Sequence, residues 1–133
     1  MRLVHTCIRV RDEDASVRFY EALGFERRGR LQFETAYNIY MGLPGDGDTL
    51  ELTVNVGREE PYDLGDGYNH IAITVDDIHA TVAQLAEQGI EPEKPPYHPG
   101  GREEVGTICF VQDPDGYRIE IIDGPTWPTP QDP

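Results

Sequence analysis

The chain has 133 residues, about the length of one domain, which excludes a large multidomain assembly. Asp and Glu number 25 against 11 Lys and Arg, a formal net charge of −14, and so acidic a chain repels nucleic-acid phosphates and anionic membranes. Two cysteines are too few for a disulfide framework, and no segment has the roughly 20 apolar residues of a membrane span. The sequence therefore predicts a cytoplasmic protein with reduced, packed thiols and a hydrophobic core.

An internal repeat organises the chain. Residues 5–26 and 70–91 align without a gap, at an offset of 65 residues from His5 to His70. Identical residues occupy eight aligned positions, namely His5/His70, Ile8/Ile73, Val10/Val75, Asp12/Asp77, Ala15/Ala80, Val17/Val82, Gly24/Gly89 and Glu26/Glu91. This agreement indicates an internal duplication.

Each copy opens with a strand pattern, reaches an Asp suited to cap a helix, and continues for about ten helix-compatible residues to a glycine. Further strands are predicted over residues 31–40, 49–54, 107–112 and 117–123. The pattern predicts an α+β fold of two tandem βαβββ modules, about 1–61 and 66–124. A linker around 62–68 joins the two modules within a single domain of residues 1–124. Four prolines within 125–133 predict an irregular tail.

Strand alternation predicts a polar face that carries potential metal ligands. In the first strand Ile8 and Val10 share one side, which leaves His5 on the other, and the second copy repeats this arrangement at His70. Later strands of the two copies offer Glu51 and Glu120 at corresponding positions. A single histidine or glutamate on a strand is most often solvent-facing. Two imidazoles and two carboxylates in symmetric positions instead favour a divalent transition-metal site.

Four segments of the chain resemble glyoxalase I (lactoylglutathione lyase), in its short bacterial form, a family of the vicinal oxygen chelate superfamily. They are MRLVHT at 1–6 with Arg9 and Val10, LELT at 50–53 with Asn55, YNHIA at 68–72, and QDPDGYRIEI at 112–121. The resemblance covers nearly all of residues 1–124. It implies a glyoxalase-like fold and a homodimer with two sites at the subunit interface.

The resemblance also implies the ligands and the metal. The implied ligands are His5 and Glu51 of one subunit together with the partner's His70 and the partner's Glu120. It implies one divalent metal per subunit, with nickel or cobalt favoured over zinc. The implied partners are a small-molecule substrate and a second copy of the chain.

The implied reaction is a step of methylglyoxal detoxification. The hemithioacetal of methylglyoxal and a low-molecular-weight thiol, glutathione by resemblance, is isomerised to the S-lactoyl thioester. Glu120 is the implied principal proton-transfer group, and Glu51 assists as a ligand. Arg9 and Asn55 match family positions that hold the thiol's glutamyl end, and Arg102 is the cation available to the glycyl carboxylate.

Two departures from the family pattern leave the substrate open. Val56 stands where a tryptophan is common, and the sequence GGREE at 100–104 holds only Arg102 where a basic loop is expected. A different thiol or another small vicinal dioxygen substrate would suit such a loop. The alternative functions are another enzyme of the superfamily, such as an epimerase or a thiol transferase, and a metal-free dimer that sequesters a drug.

Overall fold

The computed structural model describes residues 1–124 and 132–133, so most of the predicted tail over 125–133 lies outside the described residues. The chain divides into two compact units, Met1–Asp63 and Leu64–Pro133. The boundary between them falls inside the predicted linker at 62–68. Among the described residues, no helix is long and apolar enough to cross a membrane.

The first unit has the predicted βαβββ order. Its elements are β1 (Thr6–Arg9), α1 (Glu13–Ala22), β2 (Glu26–Gln32), β3 (Ala36–Gly42) and β4 (Leu50–Asn55). They include one sheet in the order β1-β4-β3-β2, in which β1 and β4 are parallel and the other pairs are antiparallel. The strand predicted over 31–40 is interrupted by a turn, because the Phe33 N–H bonds to the Ala36 carbonyl at 2.8 Å and reverses the chain.

The second unit repeats this order with one strand reduced. Its elements are β5 (Ile71–Thr74), α2 (Ile78–Glu87), β6 (Thr107–Gln112) and β7 (Arg118–Asp123), with short 3-10 turns at Pro99–Gly101 and Glu103–Val105. The sheet order is β5-β7-β6, with β5 and β7 parallel. Where the first unit has β2, the described residues of the second form one isolated bridge, Tyr97 to Ile108. Prolines at 92, 95 and 96 lack the N–H groups that a ladder requires.

The helix boundaries follow the predicted signals. Asp12 caps α1 by accepting a hydrogen bond from the Ala15 N–H at 3.0 Å, and Asp77 caps α2 through the Ala80 N–H at the same distance. Just beyond α1, Gly24 has a φ of 97°, a left-handed conformation that other residues rarely adopt. The predicted helix starts and stops are therefore confirmed.

The apolar side chains that alternate along the strands form the buried core. In β4, Leu50, Leu52 and Val54 are buried as the apolar side of the alternation, and each such side chain stabilises the fold by about 1.5–3 kcal/mol. Cys109 is also buried, and burial raises the pKa of its thiol to about 11. Both cysteines are free, but the prediction that both are packed is wrong for Cys7, which is exposed because it alternates with buried Ile8.

Candidate active site

The first candidate ligand pair lies at the start of β1. The parallel register between β1 and β4 sets Cys7 opposite Glu51. His5 is two residues before Cys7, so its side chain lies on the same face as the Glu51 carboxylate. The His5 Nε2 is 2.5 Å from the Glu51 Oε2, and the Glu51 side chain is only 11% exposed. The predicted His5 and Glu51 are thus in direct contact within the first unit.

The second unit builds the same pair with the same register. Ala72 of β5 lies opposite Glu120 of β7, and His70 is again two residues before that position. The His70 Nε2 is 2.7 Å from the Glu120 Oε2, whose side chain is 9% exposed. The duplication seen in the sequence therefore extends to the geometry of both pairs.

An asparagine orients the second imidazole. The His70 Nδ1 lies 2.5 Å from the Asn69 Oδ1. An amide oxygen only accepts hydrogen bonds, so the Nδ1 carries a proton and the Nε2 is the nitrogen available to a cation. This Nε2 faces the Glu120 carboxylate, so one imidazole nitrogen and one carboxylate oxygen lie side by side as donors for a cation.

The histidine of each His–Glu pair contacts an aromatic ring that was not predicted from the sequence. Tyr40 of β3 is the cross-strand partner of Glu51, and its ring lies edge-on at 6.1 Å from the His5 ring. Phe110 of β6 pairs with Glu120 in the same way, with its ring 5.3 Å from that of His70. Such contacts limit how far the imidazoles can rotate. The signal that was available is an aromatic residue at the equivalent strand position of both copies.

The donor set fits a divalent transition metal. Each unit supplies one imidazole nitrogen and one carboxylate oxygen, the donors that borderline metals such as nickel, cobalt and zinc accept. The described residues contain no single group of three or more His, Cys, Asp or Glu side chains suited to hold a metal ion. The residues that could hold one are therefore two pairs, one in each unit.

Two predicted substrate-binding residues lie on the same sheet face as the first pair. Arg9 is exposed at the end of β1, opposite Thr53 of β4. Asn55 is the last residue of β4 and alternates with the buried Val54, so its side chain shares the face of Glu51. The Tyr62 hydroxyl donates a hydrogen bond to the Asn55 Oδ1 at 3.1 Å. Tyr62 is the first residue of the predicted linker, and no binding role was predicted for it.

The third predicted substrate-binding residue, Arg102, is held by two carboxylates of the second unit. Its Nη1 and Nη2 donate to the two oxygens of Asp132 at 2.6 and 3.0 Å, and its Nε donates to Glu104 at 2.7 Å. The hydrogen bonds that Arg102 donates to Asp132 and Glu104 raise the pKa of Arg102, and the same bonds lower the pKa of both acids. The positive charge of Arg102 is thus already balanced within the chain.

Comparisons with known proteins agree with this architecture. Residues 2–121 match the family model described as the Glyoxalase/Bleomycin resistance protein/Dioxygenase superfamily. A probable lactoylglutathione lyase of Vibrio parahaemolyticus is 40% identical over 129 residues, which are 91% of this chain and 89% of that protein. The lactoylglutathione lyase of Haemophilus influenzae is 38% identical over 130 residues, 92% of this chain and 93% of that protein.

Solved structures give the same result. The glyoxalase I of Zea mays superimposes with a TM-score of 0.83 at 31% identity, over 97% of this chain and 47% of that chain. A trypanothione-dependent glyoxalase I of Leishmania major superimposes with a TM-score of 0.77 at 33% identity, over 92% of this chain and 86% of that chain. The resemblance to glyoxalase I and the predicted α+β fold are confirmed. This chain belongs to the glyoxalase/bleomycin resistance protein/dioxygenase superfamily.

Proposed function

We propose that this chain is a lactoylglutathione lyase, a glyoxalase I that converts the hemithioacetal of methylglyoxal and glutathione to S-lactoylglutathione. The observation that carries the proposal is the pair of equivalent His–Glu contacts, 2.5 Å in one unit and 2.7 Å in the other. The relatives named lactoylglutathione lyase align over nine-tenths of the chain and supply the reaction class. A metal-free binding module has no need for two matched pairs of this kind.

Proton transfer is the task of the two carboxylates. The reaction moves one proton from the carbon that bears sulfur to the neighbouring carbon, with no net change of oxidation state. Glu120 accepts that proton and returns it, and Glu51 assists from the other pair. A bound divalent metal supplies Lewis-acid stabilisation of negative charge on the substrate oxygens. The Glu51 and Glu120 side chains are only 11% and 9% exposed, and this low exposure keeps competing water away from the transferred proton.

One divalent metal per chain is the proposed cofactor, with nickel or cobalt favoured and zinc as the alternative. Neutral imidazoles and ionised carboxylates are the forms that bind such ions, so affinity falls as the pH drops and the ligands take up protons. Elemental analysis of the purified protein, followed by reconstitution with each metal in turn, identifies the activating ion.

The proposed assembly is a homodimer that shares its sites, because one His–Glu pair offers only two protein ligands. In this arrangement His5 and Glu51 act with the partner's His70 and the partner's Glu120. Co-refolding His5→Ala chains with Glu120→Ala chains tests it. A heterodimer then has both defects in one site and an intact second site, so activity returns. A confirmed heterodimer that stays inactive would contradict the shared site.

The identity of the thiol that carries the methylglyoxal is determined by assay. Arg9 and Asn55 share a sheet face and suit the glutamyl end of glutathione, whereas Arg102 is already paired with Asp132. A relative in Leishmania major is trypanothione-dependent, so carriers differ within this fold. Methylglyoxal should therefore be assayed with a panel of thiols after metal loading. We expect thioester formation to be fastest with glutathione, and the absence of product with every thiol would refute the proposed reaction.

A further inference from the structure

We propose that Tyr62 is a positioning residue that orients the amide of Asn55 toward the α-carboxylate of the thiol's γ-glutamyl group. The inference rests on the proposed function and deepens it, because it assigns part of the thiol specificity to a residue outside the two sheets. Tyr62 lies near the end of the first unit and is half-buried, as is Asn55.

The orientation of the amide decides what it can bind. An asparagine side chain has an acceptor end, the Oδ1, and a donor end, the Nδ2 with two hydrogens. The Tyr62 hydroxyl donates to the Oδ1 of Asn55 at 3.1 Å. The Nδ2 donors therefore point away from Tyr62. A carboxylate only accepts hydrogen bonds, so this orientation suits it and the reversed orientation would set two acceptors against each other.

The Tyr62 ring is itself held in place by Arg58. The Arg58 guanidinium lies over the ring at 4.4 Å from its centroid, a cation–π contact. Arg58 also donates from Nε to the Glu60 carbonyl and from Nη2 to the Pro61 carbonyl, both at 2.9 Å. These hydrogen bonds connect Glu60 and Pro61, which directly precede Tyr62, to the guanidinium that covers the Tyr62 ring. The hydroxyl is thus positioned before any ligand arrives.

A purely structural role and a positioning role give different dependences on the thiol. If Tyr62 only stabilises the segment around residues 58–62, its removal changes KM equally for the adducts of all thiols. If it orients Asn55, its loss matters only for thiols that carry the α-carboxylate. A suitable probe is 4-aminobutyryl-cysteinylglycine, which is glutathione without that carboxylate and with the amine retained.

The test compares Tyr62→Phe with the wild type on both thiols, with methylglyoxal and saturating metal. Removal of one hydrogen bond that acts through Asn55 should raise KM for the glutathione adduct about three- to tenfold and leave kcat unchanged. The adduct of the decarboxylated thiol should show no change in KM. In an Asn55→Ala background the second substitution should have no further effect, because the two residues act as one unit.

Tyr37→Phe is the matched control. Tyr37 is also a half-buried tyrosine of the first unit with an arginine, Arg30, over its ring, at 4.1 Å. It lies opposite Val54 in the register of β3 and β4, on the face away from Glu51. Burial and a hydrogen bond with Glu13 of α1 raise the pKa of its hydroxyl. We expect this variant to keep the wild-type KM for both thiols.

The outcomes separate the inference from the proposed function. An equal rise in KM for both thiols, or no rise for either, overturns the role of Tyr62. If the wild type makes no thioester, the proposed function fails, and calorimetry with S-methylglutathione and its decarboxylated analogue then tests Tyr62 by binding alone. If Tyr62→Phe does not fold, Arg58→Gln replaces it. That variant should raise KM for the glutathione adduct by a smaller factor than is expected for Tyr62→Phe, with no change in KM for the adduct of the decarboxylated thiol. An equal rise in KM for both adducts overturns the inference.

Discussion

Replacing Glu120 by glutamine separates proton transfer from metal binding. Glutamine has nearly the same shape and keeps an oxygen beside His70, but its amide is not basic. Glu120 is 7% exposed and its Oε2 lies 2.7 Å from the His70 Nε2, so the substitution occurs in a confined position that water cannot easily refill. Loss of a positioned base lowers turnover about 10²- to 10⁴-fold, which corresponds to about 3–5 kcal/mol of transition-state stabilisation.

The assay measures kcat from thioester formation at saturating metal, together with metal content by elemental analysis. Glu51→Gln is the control variant, because Glu51 has the same burial and the same contact with a histidine. We expect the larger loss for Glu120→Gln. A metal-replete Glu120→Gln enzyme with near wild-type kcat would refute the assignment, and equal losses in the two variants would mean that both carboxylates share the proton transfer.

Three further substitutions test other parts of the structure. His70→Ala removes a proposed ligand and should lower the bound metal measured by elemental analysis; unchanged content would exclude His70 as a ligand. The hydrogen bond from Arg118 holds the pKa of Glu93 below 4.5, so Glu93→Gln should reduce urea stability at pH 7, by less than about 1 kcal/mol for an exposed pair. That difference should disappear as the pH falls below 4.5 and Glu93 takes up a proton; a difference unchanged at pH 3 would contradict the pairing. Arg102→Ala should change KM for the glutathione adduct less than about twofold, because Asp132 already neutralises Arg102; a tenfold rise would show that substrate displaces Asp132.

The elements and the His–Glu pairs that depend on local pattern could be predicted from the sequence. Asp12 and Gly24 mark the ends of α1 because capping and left-handed backbone are properties of single residues. His5 faces Glu51 because alternation fixes the face of a strand residue and the repeat fixes which strands correspond. The same alternation also sets Cys7 on the exposed face, where composition alone had suggested a packed thiol.

The contacts that depend on register or on distant segments could not be predicted. Tyr40 meets His5 only because β3 pairs with β4 in one particular register, which the sequence does not specify. The contact between Tyr62 and Asn55 depends on the path of a loop. Arg102 is 30 residues from Asp132 in the sequence, and local composition does not indicate an ion pair between residues so far apart.

The most direct test of the account is a titration of the metal-free protein with nickel, with thioester formation from methylglyoxal and glutathione as the readout. We predict a rate that rises in proportion to added metal and reaches a plateau near one equivalent per chain. Full activity without metal, or no thioester at any metal loading, would contradict a metal-dependent lactoylglutathione lyase built from two His–Glu pairs.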